Sequence, residues 1–161
     1  YVALTVVGAD RLWKSGYLRA KSTQEELIRV AGIPYTILRS TQFFEFAPRI
    51  AQTATQGNEV RISTGAIQPI AADETVAALA DIVINRPVND IVEVGGPVRM
   101  PMSEFIHYYL TVTEDLRQLI PDEHARYFGT EIDDESLVPG ENARLGIIKY
   151  ENWLFTQLAK V

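Results

Sequence analysis

Three side chains near the start of the sequence have the types and spacing of an acid–base site. Tyr17 and Lys21 are four residues apart, and on a helix this spacing places both side chains on one face. A nearby ammonium group favours the phenolate, so such a tyrosine can donate or accept a proton closer to neutral pH than a free phenol. Thr5 adds a hydroxyl group twelve residues before Tyr17. Together the three side chains are suited to acid–base chemistry on a bound ligand.

The pair also has a purely structural interpretation. A half-buried Tyr17 beside a solvated Lys21 is ordinary on an amphipathic helix. Spacing alone therefore leaves both interpretations open, and the elements that position the two residues must decide between them.

A strand and a helix are predicted to carry these residues. The apolar run at residues 2–8 predicts a strand buried on both faces in the middle of a parallel sheet, with Thr5 near its centre. Ser15 is suited to cap a helix that runs to about residue 31, and Gly32 is suited to end it. The apolar stripe of this helix is predicted at Leu18, Leu27, Ile28 and Ala31.

The remaining pattern alternates strands with helices. Strands are predicted at residues 35–39, 60–63 and 91–94. Helices are predicted at 43–56, at 74–85 after a cap at Asp73, from Ser103 to about 112, and at 150–159 with Trp153, Leu154 and Leu158 on its packing face. This alternation indicates a parallel α/β sheet, here a single unit with a C-terminal elaboration.

Composition excludes several function classes. The 161 residues include no cysteine, which excludes disulfides, thiolate zinc sites and a cysteine nucleophile. The net charge of −6, without a basic stripe, argues against nucleic acid and anionic membranes as partners. His107 and His124 lack other ligands at suitable spacing, so no metal is expected. A cytoplasmic protein that acts on a small molecule is the expectation.

Five stretches of the sequence resemble one family. These are VALTVVG, GYLRAKSTQEELI, GIPYTILRSTQFFEF, QPIAADETVAALADIV and ARYFGTEIDDESLVPGENARLG. Together they resemble the C-terminal part of an atypical short-chain dehydrogenase/reductase of the NmrA-like, NAD(P)-binding branch. The resemblance implies the C-terminal portion of a Rossmann-like, doubly wound parallel sheet. Its partial NAD(P)-binding domain would cover about 1–100 and a small substrate-side extension about 101–161.

The resemblance also implies roles for the three residues. Tyr17 matches the proton donor, and Lys21 would hold the nicotinamide ribose and lower the pKa of Tyr17. Thr5 stands where the family usually has a serine that binds the substrate carbonyl. The cofactor NADP or NAD would be contacted by Val7, Gly8 and Lys21, and by Thr41, Gln42 and Phe43, which match the family's contacts around both nicotinamide and substrate.

Two further regions have implied or open roles. Tyr127 and Phe128, with the loop that runs to Gly140, would line the substrate pocket, as C-terminal elaborations of the family do. Arg39 is suited either to anchor the end of the sheet or to approach the cofactor.

One departure from the family is large. The glycine-rich dinucleotide fingerprint is absent from the sequence. We therefore expect the chain to be part of a longer protein that includes three or more further βα units, on the order of 100 residues. Those units would select NAD or NADP, so the sequence leaves that choice open. The sequence also leaves open whether the protein forms a homodimer.

Two functions follow from the resemblance. The first is an NAD(P)-dependent oxidoreductase that acts on a carbonyl, enone or quinone-like substrate with Tyr17 as acid/base. The alternative is a dinucleotide-sensing regulatory protein without catalysis. NmrA-like sensors often lack the tyrosine, so the presence of Tyr17 and Lys21 favours the enzyme.

Overall fold

A computed structural model describes residues 1–160 and contains five α-helices and eleven short strands in that range. The helices are α1 (Gly16–Val30), α2 (Ala47–Thr53), α3 (Ala72–Ile84), α4 (Met102–Val112) and α5 (Tyr150–Leu158). The strands are β1 (Val2–Val6), β2 (Thr36–Ser40), β3 (Thr55–Gln56), β4 (Glu59–Ile62), β5 (Ala66–Ile67), β6 (Asp90–Gly95), β7 (Met100–Pro101), β8 (Gln118–Pro121), β9 (Arg126–Tyr127), β10 (Thr130–Glu131) and β11 (Arg144–Leu145).

A parallel sheet organises the fold. Its strand order is β1-β2-β6-β11, and all three pairings are parallel. The register aligns Thr5 with Arg39 and Ser40 with Val94. Helix α1 connects β1 to β2, and α3 lies between β2 and β6 in the chain. The prediction of an α/β fold with a parallel sheet is confirmed, and the segments that follow β1 and β2 lie at one edge of the sheet.

Strand β1 differs from its prediction. Within residues 1–160 it is an edge strand paired with β2, and Leu4 is 36% exposed while Ala3 and Thr5 are buried. Burial on both faces is therefore not seen within the described sheet, and a central position in a sheet with further βα units stays a prediction. The strand also ends at Val6, because the chain turns at Gly8, where φ is +93°.

Helix α1 begins and ends as its sequence predicts. The Ser15 side chain accepts a hydrogen bond from the Leu18 amide at 3.4 Å, and Gly32 has a φ of +69° just after the helix. The buried face consists of Leu18, Glu25 and Ile28. The predicted stripe is wrong at Leu27 and at Ala31, which are exposed. Leu27 follows Leu18 by nine residues, or about two and a half turns, and so points the opposite way.

The segment predicted as one helix at residues 43–56 is divided. It contains a 3-10 turn at Phe44–Phe46, helix α2 and the short strand β3. Pro48 lies in the first turn of α2, and because proline lacks an amide hydrogen it suits a helix start and not a helix interior.

Helix α3 is capped differently from the prediction. It begins at Ala72, and Asp73 lies inside its first turn. The Ala72 amide donates to the Glu45 carboxylate at 3.2 Å. The cap thus comes from a residue distant in sequence, which local spacing does not indicate.

The C-terminal region shares a core with the sheet region. Phe44, Phe105, Leu137 and Tyr150 belong to one buried cluster. In α5, Leu154 is buried and Trp153 is half-buried, but Leu158 is 41% exposed and does not belong to the packing face. The division at about residue 100 stays a prediction. No helix within residues 1–160 has the length and apolar character needed to cross a membrane.

Candidate functional site

Tyr17 lies in the first turn of α1 and faces the C-terminal region. Its side chain is accessible, with 54% of the residue exposed. Its ring centroid lies 6.1 Å from that of Phe128, which in turn meets Tyr127 edge-on at 4.7 Å. Phe128 occupies the turn between β9 and β10. The hairpin therefore contacts Tyr17 through an aromatic ring; that this segment lines a substrate pocket stays a prediction.

Lys21 follows Tyr17 by one helical turn. It is partly buried, and its Nζ donates to Gln24 Oε1 at 3.3 Å. An uncharged amide is its hydrogen-bond acceptor, so its ammonium charge is available to a ligand at the same helix face. The structure therefore places Tyr17 and Lys21 as the helix spacing predicts.

Thr5 has a different environment from the one expected. Its hydroxyl donates to Glu25 Oε1 at 2.6 Å, and both residues are buried. The hydroxyl proton is therefore directed at a carboxylate of α1. In this arrangement Thr5 retains lone pairs that can accept hydrogen bonds, but a substrate carbonyl requires a donor.

Glu25 also binds Arg39. Arg39 Nε donates to Oε1 at 2.9 Å and Nη2 donates to Oε2 at 2.6 Å. Arg39 Nη1 lies 3.1 Å from Asp10 Oδ2. Hydrogen bonding to Glu25 is the main cause that raises the pKa of Arg39. Of the two open roles for Arg39, the structure supports anchoring.

Sequence reasoning missed Glu25, although a signal was present. Glu25 falls on the buried stripe between Leu18 and Ile28. A carboxylate on an apolar helix face requires a charged partner, and Arg39 in the next strand was available.

Thr41 and Gln42 follow β2 at the carboxyl edge of the sheet. Each is 2% exposed. Their backbones are paired, since Thr41 N donates to Val94 O at 3.0 Å and Ile70 N donates to Gln42 O at 2.9 Å. Their side chains are not: Thr41 Oγ1 and both polar atoms of the Gln42 amide have no hydrogen-bond partner among residues 1–160. Buried polar groups of this kind call for an explanation, and a ligand is one.

Tyr127 lies beside Phe128 in the β9–β10 hairpin. Burial raises the pKa of the Tyr127 phenol; a contact with Gln42 partly opposes this, and the neighbouring Tyr17 adds to it. The Gln42 contact does not reach full hydrogen-bond geometry. The ring contacts of Phe128 with Tyr127 and with Tyr17 bring the hairpin to the start of α1.

The remaining predicted cofactor contacts are Val7, Gly8 and Phe43. Val7 is fully buried, so a ligand would meet its backbone and not its side chain. Gly8 packs so closely on the Ser136 carbonyl that a Cβ would lie 2.6 Å from the oxygen. Phe43 is partly buried and stacks on Phe46 at 5.4 Å.

A groove of about 720 Å³ lies between the loop after β1 and the β9–β10 hairpin, and neither Tyr17 nor Lys21 is among its lining residues. Trp13 and Gly129 are among its lining residues. Three cations and three carboxylates also line it, which are Arg11, Lys14, Arg126, Glu131, Asp133 and Glu135. Within residues 1–160 no three metal-ligating side chains are grouped to hold a metal ion.

Comparisons with known proteins identify the fold. No family model matches the sequence, and no curated protein matches it. Solved structures do match. A nucleoside-diphosphate-sugar epimerase from Staphylococcus aureus has a TM-score of 0.57 at 12% identity, over 75% of this chain and 44% of that one. An NADPH-dependent quinone oxidoreductase from Escherichia coli has a TM-score of 0.57 at 15% identity, over 76% and 46%.

A third match covers almost the whole chain. A dTDP-4-dehydrorhamnose reductase ortholog from Clostridium acetobutylicum has a TM-score of 0.65 at 11% identity, over 99% of this chain and 66% of that one. At these identities the likeness shows the fold alone. The fold is Rossmann-like. The chain spans between 44% and 66% of the length of these three structures.

Proposed function

We propose that this chain provides the substrate-facing part of an NAD(P)-dependent oxidoreductase. The proposed type is an atypical short-chain dehydrogenase/reductase of the NmrA-like branch. One observation carries the proposal: Tyr17 and Lys21 share one face at the start of α1, at the carboxyl edge of a parallel sheet, and Tyr17 faces an aromatic pair from the C-terminal region. In open α/β sheets, ligands bind at this edge.

The residues at this edge fit the nicotinamide end of the cofactor. Thr41 and Gln42 offer buried polar atoms without protein partners, and Lys21 offers a cation for ribose hydroxyls. The sequence contains no glycine-rich phosphate loop, so the pyrophosphate end has no matching residues here. Several structural neighbours support the cofactor class, because they are described as complexes with NADPH, NADP or NAD.

The chemistry of the proposed reaction divides between cofactor and protein. A nicotinamide, when bound, supplies or accepts the hydride at the substrate carbon. For carbonyl reduction, Tyr17 would give its phenolic proton to the oxygen, so that C=O becomes CH–OH. Lys21 would stabilise the phenolate left behind until solvent returns the proton. Oxidation of an alcohol follows the same steps in reverse.

The groove at the β9–β10 hairpin is not lined by Tyr17 or Lys21, and we propose it only as the path by which substrate approaches them; its lining favours an uncharged compound. Its three cations and three carboxylates balance, so the groove does not attract a strongly anionic compound through net charge. Trp13 is 58% exposed beside it and offers a flat apolar surface. An aldehyde, ketone, enone or quinone suits these features.

Turnover in the intact protein tests the proposal. NADH or NADPH consumption would be followed at 340 nm with a panel of aldehydes, ketones, enones and quinones. Tyr17→Phe should lower kcat by about 10²–10⁴-fold, the range expected for general acid catalysis. Tyr35→Phe is a matched control, because Tyr35 immediately precedes β2 and therefore lies at the opposite edge of the sheet.

The results separate enzyme from sensor. Nucleotide binding without turnover of any compound would favour the regulatory alternative. Turnover that survives Tyr17→Phe would exclude Tyr17 as the acid/base while leaving the oxidoreductase in place.

A further inference from the structure

The turn that carries Phe128 has a backbone conformation that phenylalanine disfavours. Strands β9 and β10 pair Tyr127 with Thr130, so two residues, Phe128 and Gly129, connect them. Their φ angles are +45° and +83°. Positive φ at both central positions is the pattern of a type I′ hairpin turn, whose first position favours asparagine, aspartate or glycine. A phenylalanine there brings its Cβ close to the following carbonyl oxygen, which is unfavourable.

Two other residues of the described chain, besides glycines, have positive φ, and each has a local reason for it. Asn89 (φ +54°) is of a residue type that tolerates this region, and its Oδ1 accepts from the Tyr35 amide at 3.1 Å. Glu114 (φ +55°) directly follows the C-cap of α4, where left-handed backbone ends many helices. Phe128 is neither an asparagine nor a helix end, so its backbone must be held by what its ring contacts. Such strain is often found at functional sites.

The Phe128 ring contacts the proposed proton donor. Its centroid lies 6.1 Å from that of Tyr17, with 38° between the two planes, and 4.7 Å from that of Tyr127 in an edge-on arrangement. Both distances lie in the range of favourable aromatic pairs. Tyr17 is 54% exposed in the first turn of α1. An exposed side chain has few neighbours that fix its rotamer, so a ring contact from a distant segment restricts it.

We infer that Phe128 is a positioning residue for Tyr17. The left-handed turn directs the Phe128 ring at the phenol, and the ring contact holds Tyr17 in the rotamer that transfers the proton. The inference rests on the proposed function. Proton transfer requires the phenolic oxygen within hydrogen-bond reach of its acceptor, and misplacement of a reacting group by about 1 Å can cost about 10²-fold in rate. Phe128 acts through Tyr17 and need not touch the substrate.

Packing of the hairpin alone is the competing explanation. Phe128 also lines a small cavity of about 40 Å³ together with Ile50, Ile62 and Met102, all three of which are buried. A residue that serves only this packing would stabilise the fold, and its loss would lower turnover whether or not Tyr17 is present. A positioning residue affects turnover only while Tyr17 is present, and that difference decides the experiment.

Phe128→Asn in the intact protein keeps a residue type suited to the turn and removes the ring. We expect kcat to fall by about 10-fold, a part of the 10²–10⁴-fold that general acid catalysis supplies. KM should stay within about twofold, because the lost contact is with the acid and not with the substrate. The Tm should not fall, since asparagine relieves the backbone.

Two further substitutions separate the ring from apolar bulk. Phe128→Leu keeps an apolar side chain without an aromatic ring and should lose kcat to the same extent. Phe128→Tyr keeps the ring and should stay within about twofold of wild type.

A double-mutant cycle with Tyr17→Phe is the deciding measurement. In the Tyr17→Phe background, Phe128→Asn should not lower the residual turnover further, because the group that Phe128 positions is gone. Glu114→Asn is the matched control, since it places asparagine at the other charged or bulky residue with positive φ. Its Tm should not fall either, and its kcat should stay within about twofold of wild type.

Other outcomes overturn the inference. Equal losses of turnover in both backgrounds, a large fall in Tm or failure to fold would make Phe128 a packing residue. A raised KM with unchanged kcat would make it a substrate contact. Unchanged kcat in Phe128→Asn and Phe128→Leu would leave it without a role in turnover. If wild type turns over nothing, the proposed function fails together with the inference. Turnover that is lost in Tyr17→Phe but kept in Phe128→Asn contradicts the inference alone.

Discussion

Arg39 and Glu25 form a two-point ion pair between strand β2 and helix α1. The pair joins Nε to Oε1 at 2.9 Å and Nη2 to Oε2 at 2.6 Å. Because Thr5 in β1 donates to the same carboxylate, one buried group connects the helix to two strands. Tyr17 and Lys21 belong to that helix, so their placement over the sheet depends on this contact.

Removal of Glu25 should destabilise the fold strongly. Glu25→Ala leaves the buried Arg39 guanidinium without its main partner, and breaking a buried pair in this way costs about 3–5 kcal/mol. The free energy of unfolding from urea denaturation would measure the loss.

Glu26→Ala provides the control on the same helix. Its carboxylate lies 3.7 Å from Arg29 and its side chain is 64% exposed, so the change should be within about 1 kcal/mol. Equal losses in the two variants would show that the Arg39 contact does not stabilise α1.

Replacing both residues of the ion pair tests whether the two charges themselves are needed for stability. Glu25→Leu combined with Arg39→Met removes both charges and should recover most of the stability lost in Glu25→Ala, because apolar replacements of buried pairs are often neutral. A double-mutant cycle of urea midpoints measures the coupling. A double variant as unstable as Glu25→Ala would contradict the ion-pair explanation.

The sequence predicts what is local. Ser15 and Gly32 define the ends of α1 because capping depends on residues close by in the chain. The cap of α3 was missed, since Glu45 reaches Ala72 across 27 residues of sequence. Neighbours brought together by tertiary folding leave no periodic signal.

In the candidate site, too, the local relationships could be predicted from the sequence and the tertiary contacts could not. Tyr17 and Lys21 follow from a four-residue spacing, whereas the Tyr17–Phe128 contact joins residues 111 positions apart and was not predicted. Thr5 was given its role by the resemblance, as the residue in the place of the family's serine. Its hydrogen bond to Glu25 depends on how α1 crosses the sheet, which spacing does not determine.

Tyr150→Phe should stabilise the protein. Tyr150 is 4% exposed, and its hydroxyl has no hydrogen-bond partner among residues 1–160. Removal of the hydroxyl leaves the ring contacts with Phe44 and Phe105 in place and should increase the free energy of unfolding by about 1 kcal/mol. Tyr108→Phe, a half-buried neighbour, should change it by less than about 0.5 kcal/mol. A loss in Tyr150→Phe would reveal a partner for the hydroxyl.

The buried Tyr150 phenol also predicts that the stability of the protein depends on pH in the alkaline range. Burial is the main cause that raises the pKa of Tyr150, and Tyr109 and Tyr108 add to it. In the unfolded state a tyrosine has a pKa of about 10 and loses its proton as the pH passes that value. The folded state therefore keeps the Tyr150 proton at pH values where the unfolded state has lost it. The resulting stabilisation is complete below about pH 10 and is lost as the pH rises toward the folded-state pKa.

Denaturation at pH values on either side of about 10 tests this dependence. Wild type should lose more stability across that interval than Tyr150→Phe. Burial also raises the pKa of Tyr127. Because Tyr127 is present in both proteins, its contribution to the loss of stability cancels in the comparison. Identical losses in the two proteins would show that Tyr150 does not titrate differently in the folded state.

Gly8→Ala should be more destabilising than a positive φ alone explains. Gly8 has a φ of +93°, and an added Cβ would lie 2.6 Å from the Ser136 carbonyl oxygen and 3.1 Å from Leu137 Cδ2. Gly32→Ala is the matched control, because Gly32 has a φ of +69° with open space around it. We expect about 1–2 kcal/mol of destabilisation at Gly32 from backbone conformation, and a further 1–3 kcal/mol or so at Gly8 from overpacking.

The two Gly→Ala variants also test how the C-terminal region is held at the site. Ser136 and Leu137 lie beyond the β9–β10 hairpin that brings Phe128 to Tyr17. A Cβ at Gly8 must push this segment away, so Gly8→Ala should lower turnover at temperatures where the protein is still folded, whereas Gly32→Ala should not. Urea denaturation and steady-state kinetics measure the two effects separately. Equal destabilisation by both variants would contradict close packing at Gly8, since only the shared backbone term would then remain.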